Sequence, residues 1–247
     1  RSSGARRGPG FLGKLRLTGA AEYVLYDGGE SPVAAANLNA LRSAYAGTAS
    51  SGGSGLGNTG NSSLMNDDET AMLRQELAVV TYDFDRKAGK TKRRMEVALP
   101  KLNNGAEPEV WRPADTRSGM APSFGRVRYQ GAQNLLLAER LFVMHQRESR
   151  YDALSSCLVD FKGRATAASV KNFQLIKSTP ENSLNRLRYY SEADGRFEDS
   201  ADDAPRAVLL QMGKVGKNCF NVDIQHPLSP LQAFAICLSR FDTNAAL

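Results

Sequence analysis

Residues 226–242 read HPLSPLQAFAICLSRFD, and this stretch decides the fold. It begins with a strong helix start signal. Ser229 can serve as the N-cap, Pro230 fits the first helical position, and Gln232 falls where a capping box takes Glu or Gln. On a period of 3.6 residues the following apolar side chains cover nearly the whole circumference, and a helix that is apolar all round is buried. It is too short to cross a bilayer, which takes about 20 apolar residues. We therefore expect the rest of the chain to wrap this helix.

A set of apolar side chains on this helix is predicted to form the centre of the core. These are Leu231, Phe234, Ile236, Cys237, Leu238 and Phe241. If the helix is central, Phe234→Asp would bury an unpaired charge and unfold the protein.

Most of the preceding chain is predicted to form strands, because short segments rich in β-branched and aromatic residues alternate with turn signals. The predicted strands are residues 11–17, 22–27, 74–84, 93–99, 157–161, 165–176, 207–215 and 219–224. Residues 135–146 stay open between helix and strand, since periodicity does not settle short apolar runs. The Gly-, Pro- and Asn-rich residues 100–133 are predicted to be a loop.

Two segments interrupt the pattern of strands. Residues 34–73 hold a Gly-, Ser- and Asn-rich stretch at 46–63 without apolar periodicity, which indicates a flexible insertion, and a short helix at 34–45 is a further expectation. Residues 178–205 form a second, charged insertion. Apart from these insertions, residues 1–247 are interpreted as one domain.

Composition narrows the classes of function. The three cysteines, Cys157, Cys219 and Cys237, form no C-x-x-C pair, which favours a reducing compartment. With two histidines and no metal-ligand spacing, phosphate-binding loop or nucleophile elbow, we expect no catalytic residue, metal or cofactor, and hence no enzyme. The net charge of +6 favours an anionic partner, which could be phosphoinositide, acidic membrane or nucleic acid.

Several segments resemble the signature segments of tubby-like proteins, in the order of that family. They are GKLR at 13–16, RQELA at 74–78, SVKNFQ at 169–174, QMGKV at 211–215, FNVD at 220–223 and PLSPLQAFAICLSRFD at 227–242. The resemblance implies a mainly β fold, a closed antiparallel β-barrel of about twelve strands wrapped around a central hydrophobic C-terminal helix. The family also has strands upstream of residue 13. The chain is therefore interpreted as an N-terminally incomplete tubby-like domain, with unpaired sheet edges.

The resemblance also implies a function. Tubby-like proteins bind phosphatidylinositol 4,5-bisphosphate headgroups in the inner leaflet and act as membrane-associated adaptors that move membrane proteins into cilia. For this chain that implies a cytoplasmic protein, peripheral at the plasma membrane, with the cilium, flagellum or nucleus as further locations. Ciliary transport or axonemal proteins are the implied protein partners.

Four basic residues are the candidate phosphoinositide ligands. Lys14 and Arg16 stand two apart on a predicted strand and so face the same way, and the resemblance sets them beside the headgroup pocket. Arg93 and Arg94 end the densest basic cluster and match a second ligand segment of the family. The simpler interpretation of both pairs is a solvated basic surface.

Two other functions stay open. One is a structural or interaction scaffold, for example in a cilium or flagellum, that keeps the barrel but has lost lipid binding. The other, less favoured, is nucleic-acid binding, which would want stacking aromatic residues beside the arginines.

Overall fold

The computed structural model describes residues 8–17, 20–31, 73–85, 92–104, 106–115, 117–130, 135–147, 150–152, 155–158, 160–178 and 207–242. These ranges contain ten strands and three helices. The strands are β1 (Gly8–Leu17), β2 (Ala20–Gly28), β3 (Glu76–Asp85), β4 (Lys92–Pro100), β5 (Leu141–Gln146), β6 (Arg150–Asp152), β7 (Ser155–Leu158), β8 (Phe173–Lys177), β9 (Val208–Lys214) and β10 (Phe220–Ile224). The helices are α1 (Met120–Gln130), α2 (Leu135–Glu139) and α3 (Pro230–Ser239).

Eight of the strands form one antiparallel sheet in the order β1-β2-β3-β4-β5-β8-β9-β10, and β6 pairs only with β7. The predicted closed barrel of about twelve strands is wrong. A barrel needs its first and last strands to pair. Within the described ranges β1 and β10 are the outer strands and no pairing joins them, so the sheet is open.

Helix α3 starts as its sequence predicts. Ser229 Oγ accepts a hydrogen bond from Gln232 N at 3.2 Å, and Gln232 Oε1 accepts one from Ser229 N at 2.9 Å. Pro230 is the first helical residue. Gln232 also donates from Nε2 to Leu77 O of β3 at 2.8 Å, which ties the start of the helix to the sheet. The capping box is thus confirmed, and it also positions the helix.

The expectation that the sheet wraps α3 completely is wrong. Ile236 and Cys237 are buried against the sheet. The other four predicted core residues are exposed: Leu231 by 45%, Phe234 by 66%, Leu238 by 48% and Phe241 by 39%. Their spacing places them in one stripe along the helix. Because the sheet is open, the described residues cover only the opposite side of α3.

The sheet has an apolar cluster on each face, as the alternation of side chains along a strand requires. The α3 face holds Tyr23, Val97 and Ile236 with their neighbours. The other face, called the α1 face, holds Val24 and Ala98 and is covered by Trp111, Met120, Phe124 and Val127. Adjacent residues of one strand therefore serve different cores.

Several predicted elements differ from the structure. Residues 100–133 were predicted to be a loop but contain α1, and of residues 165–176 only those from Phe173 onward form a strand. Residues 135–146 hold a helix followed by a strand. The strand predicted at 157–161 lies earlier, at Ser155–Leu158. The segments 34–72 and 179–205 of the predicted insertions lie outside the described residues. Within the described part of the chain, no helix has the length and apolar character needed to cross a membrane.

Candidate functional site

The first two candidate ligands lie on the outer strand β1. Lys14 pairs with Tyr23 of β2, and Arg16 pairs with Ala21. Tyr23 and Ala21 are both buried in the cluster on the α3 face. This backbone register places Lys14 and Arg16 at positions next to that core, near one end of the sheet.

The second pair lies on β4, where Arg93 pairs with Phe84 and Arg94 with Asp83 of β3. Strands β2 and β3 stand between β1 and β4, so the two pairs are about 14 Å apart at the usual strand spacing. The cross-strand row of paired residues that contains Arg16 continues to Tyr82 of β3 and Met95 of β4. Arg93 lies two residues before Met95. Arg16 and Arg93 therefore reach the same end of the sheet. Consecutive residues of a strand alternate between the two faces of the sheet, so the positions of Arg93 and Arg94 are on opposite faces.

The C-terminal end of α3 is anchored at this end of the sheet. Ser239 Oγ donates to Ile236 O at 2.7 Å and lies 2.8 Å from the Tyr82 hydroxyl, from which it accepts. The Tyr23 hydroxyl donates to Asp242 Oδ2 at 3.0 Å. The two tyrosine rings meet edge to face with centroids 5.8 Å apart. These contacts bring the end of the helix beside Tyr23, which pairs with Lys14, and beside Tyr82, which lies in the same cross-strand row as Arg16.

Two further cations lie here that the sequence did not indicate. Arg240 donates from Nη2 to Val170 O at 2.9 Å, and its guanidinium carbon is 6.0 Å from the ring centroid of Phe173. Lys171 Nζ lies 5.0 Å from the ring centroid of Phe241. Both stand inside signature segments, but those segments are about 70 residues apart in the chain. The pairing of distant strands brings them together, and no local pattern signals it.

Three polar residues from different signature segments form a ladder of hydrogen bonds across the sheet. Gln174, Gln211 and Asp223 are register neighbours on β8, β9 and β10. Gln174 Nε2 donates to Gln211 Oε1 at 2.9 Å, and Gln211 Nε2 donates to Asp223 Oδ2 at 2.7 Å. Arg164 grips the same carboxylate through Nε at 2.9 Å and Nη2 at 2.7 Å. These hydrogen bonds lower the pKa of Asp223 below its ordinary value.

The ladder holds the loop 160–172 against the sheet. Asn172 Oδ1 accepts from Lys214 N at 2.9 Å, and Asn172 Nδ2 donates to Ala167 O at 3.0 Å. Gly213 packs directly under this loop, where an added Cβ would lie 2.7 Å from Ala165 Cβ. The loop that carries Val170 and Lys171 is therefore fixed from several sides.

The α1 face contains charged groups that position α1. The carboxylate of Glu76 on β3 accepts a hydrogen bond from Met120 N at the start of the helix. Arg128, near the end of the helix, has its Nε 2.5 Å from Glu96 Oε2 of β4, with only 12% and 20% of the two side chains exposed. Glu22 shares this environment, where burial raises its pKa and the charge of Arg128 opposes the rise. The helix is thus held to the sheet at both ends by carboxylates.

The buried cap of α1 gives a prediction about pH. Burial raises the pKa of Glu76 above its ordinary value of 4.5. Because its pKa is higher in the folded protein than in the unfolded chain, protonated Glu76 stabilises the fold more than ionised Glu76 does. This contribution to the free energy of unfolding is fully present below the pKa of the unfolded chain. It is lost as the pH rises through the pKa of the folded protein. Glu76→Gln keeps an acceptor for Met120 N but does not ionise. We expect the free energy of unfolding of Glu76→Gln to increase relative to that of the unsubstituted protein as the pH rises above about 4.5.

Urea unfolding at several pH values measures this difference. The matched control is Glu107→Gln, because Glu107 is exposed and caps no helix. A difference for Glu76→Gln that does not change with pH would contradict the prediction.

The histidine in β5 is buried and contacts a serine hydroxyl. His145 is 3% exposed, and its Nδ1 lies 2.6 Å from Ser178 Oγ. His226 lies in the exposed turn before α3. Within the described ranges no three or more His, Cys, Asp or Glu side chains are grouped so that they could hold a metal ion.

The fold and this end of the sheet define a class: an antiparallel sheet that packs one face on a capped C-terminal helix, with cations gathered where that helix ends. The chain belongs to the Tub family, whose model matches residues 2–243. It is 31% identical to mouse Tubby-related protein 1 over 245 residues, covering 98% of this chain and 33% of that protein. It is 28% identical to mouse Tubby-related protein 3 over 245 residues, covering 98% of this chain and 40% of that protein.

A plant relative matches over a shorter stretch. Tubby-like F-box protein 1 of Arabidopsis thaliana is 42% identical over 97 residues, covering 39% of this chain and 21% of that protein. The chain thus spans between about a fifth and two fifths of the length of these relatives.

Proposed function

We propose that this chain is a phosphoinositide-binding domain that brings a tubby-type adaptor to the cytoplasmic face of the plasma membrane. The ligand is the bisphosphorylated headgroup of phosphatidylinositol 4,5-bisphosphate, and the candidate contacts are Lys14, Arg16, Arg93 and Arg94. In this proposal the domain acts peripherally, links membrane proteins to ciliary or flagellar transport, and performs no catalysis.

The observation that supports it best is the gathering of cationic positions at one end of the sheet. The β1 and β4 positions come from distant parts of the sequence, yet the register brings Arg16 and Arg93 to the same end. Arg240 and Lys171 join them from α3 and the loop before β8. Membership in the Tub family is consistent with a shared ligand.

The proposed mechanism is electrostatic. An arginine can hold a phosphate with two parallel hydrogen bonds, and a lysine adds a mobile point charge. A rigid sheet keeps these charges in place, which reduces the entropy lost on binding. Exposed charges are screened by salt, so binding should weaken as ionic strength rises.

The second candidate function is an interaction scaffold without lipid binding. It is favoured by a different observation, the exposed apolar stripe of α3 beside an open sheet. Large exposed apolar patches commonly mark protein interfaces.

Vesicle co-sedimentation tests the proposal. We expect the chain to bind vesicles containing phosphatidylinositol 4,5-bisphosphate more tightly than phosphatidylserine vesicles of equal charge. Lys14→Ala/Arg16→Ala should lower the affinity for the first kind about thirtyfold, at about 1 kcal/mol for each cation near the surface.

The matched control is Lys101→Ala/Arg117→Ala, which removes the same charge from the opposite end of the sheet. Lys101 follows the last residue of β4. Arg117 is exposed and lies three residues before Met120, which binds Glu76 at the start of β3. Equal losses for both double variants would mean general charge attraction without a site at β1. Absence of any preference for the phosphoinositide would contradict the proposal and favour the scaffold.

A further inference from the structure

Val170 is an apolar residue whose side chain is exposed to solvent on a turn that is stabilised by several hydrogen bonds. It is 89% exposed. The turn around it is closed by Lys171 N donating to Ser169 Oγ at 3.2 Å and by Asn172 N donating to Ser169 O at 3.1 Å. Arg240 Nη2 binds the carbonyl of Val170 itself. The exposure of Val170 therefore belongs to a fixed conformation that positions this side chain outward.

The surroundings of Val170 combine apolar and cationic groups. Phe241, 39% exposed, packs edge to face on Phe220 with centroids 5.1 Å apart. Lys171 lies over the Phe241 ring, and Arg240 lies behind the turn. The nearby carboxylate of Asp242 accepts from the Tyr23 hydroxyl. We name the group Val170, Lys171, Arg240 and Phe241 the loop–helix tip.

The tip lies at the same end of the sheet as the proposed headgroup contacts. The guanidinium carbon of Arg240 is 6.0 Å from the ring centroid of Tyr82. Tyr82 pairs with Ala21, and Ala21 pairs with Arg16. If a lipid headgroup binds beside Arg16, the tip therefore lies near the membrane that contains this lipid.

We propose that the loop–helix tip is a second membrane contact, in which Val170 and Phe241 enter the interfacial layer of an anionic membrane while Lys171 and Arg240 meet lipid phosphates. This inference rests on the proposed lipid binding. An apolar side chain flanked by cations suits that layer, because the chain leaves water while the charges stay among anionic headgroups. The charge complementarity selects an anionic lipid surface over an apolar protein groove, which would bury both cations.

The first test separates the tip from the headgroup site. Val170→Glu should weaken binding about tenfold to vesicles containing either phosphatidylserine or phosphatidylinositol 4,5-bisphosphate, since it removes an inserted side chain and adds a repelled charge. Its affinity for soluble inositol 1,4,5-trisphosphate, measured by calorimetry, should not change. Lys14→Ala/Arg16→Ala should lose affinity for both the vesicles and the soluble headgroup. The control is Leu136→Glu on α2, since Leu136 is 80% exposed and lies away from the tip.

The second test measures insertion directly. A Val170→Cys variant is labelled with an environment-sensitive fluorophore after Cys157→Ser and Cys219→Ser. Cys237 stays in place because burial raises the pKa of its thiol to about 12 and keeps it unreactive. We expect the emission to shift to the blue when phosphoinositide vesicles are added.

The outcomes distinguish the two proposals. Unchanged vesicle binding by Val170→Glu, or water-like emission from vesicle-bound labelled protein, overturns the tip as a membrane contact and leaves a protein partner as its occupant. Failure of the unsubstituted chain to bind either vesicles or soluble headgroup overturns the proposed function as well.

Discussion

Replacing Ile236 with aspartate is expected to unfold the domain, whereas the same change at Phe234 is not. Ile236 is fully buried against the α3 face of the sheet, in a cluster with Leu210 and Met212. An aspartate there would lose the apolar contacts and bury a carboxylate without a partner. The combined cost exceeds about 5 kcal/mol, which is comparable to the whole stability of many domains.

Phe234→Asp provides the matched comparison, because the two residues are on opposite sides of one helix. With 66% of Phe234 exposed, we expect its replacement to change the free energy of unfolding by less than about 1 kcal/mol. This reverses the expectation for a helix wrapped on all sides. Circular dichroism and urea titration of both variants measure the difference. Unfolding of both variants would show that the exposed stripe of α3 is covered in solution.

Arg128→Ala is expected to destabilise the protein by about 2–4 kcal/mol. The change removes the partner of Glu96, which is 80% shielded from solvent, and also the positive charge that opposes the raised pKa of Glu22. Two carboxylates on neighbouring parts of the α1 face would then share a partly buried environment without a cation. The packing of the Arg128 stem near the Phe124 ring, with the guanidinium carbon 5.5 Å from its centroid, would also be lost.

Arg126→Ala is the control for Arg128→Ala. Arg126 is on the same helix but exposed, and among the described residues its side chain donates to Ser123 Oγ and Arg117 O. Its loss should change stability by less than about 0.5 kcal/mol. A further variant, Arg128→Met/Glu96→Met, should recover much of the stability, because an apolar pair can replace a buried ion pair. Equal effects of Arg126→Ala and Arg128→Ala in thermal unfolding would argue against the buried ion pair.

Local sequence signals predicted the elements whose formation depends on local chemistry. The capping box at Ser229 and the strands around residues 76–85 and 208–214 follow from side-chain hydrogen bonding and alternation, and the structure has them. Helix α1 was missed because its sequence, MAPSFGRVRYQ, contains Pro and Gly and has little apolar periodicity. It forms where Glu76 caps it and where Phe124 packs on the sheet, and both contacts are distant in sequence.

The extent to which α3 is buried could not be predicted from local sequence signals. The apolar circumference of α3 indicates what the helix can bury, but strand pairing decides how much of it is covered. For the candidate site, the basic residues of β1 and β4 could be chosen from local sequence signals. It did not indicate Lys171 and Arg240, because their neighbourhood depends on the register of β8 and on the end of a helix about 70 residues away.

The order of the elements along the chain has a consequence for biosynthesis. Each strand of the sheet pairs with the strand before it in the sequence, except that β8 pairs with β5, so during translation the sheet can grow largely strand by strand. Helix α3, however, follows every described strand in the sequence. Its Ser239 is the buried partner of Tyr82, and Asp242 just after it is the partner of Tyr23. Until the ribosome has released those residues, one apolar face of the sheet stays in water. We therefore expect the nascent chain to be most dependent on chaperones just before α3 emerges.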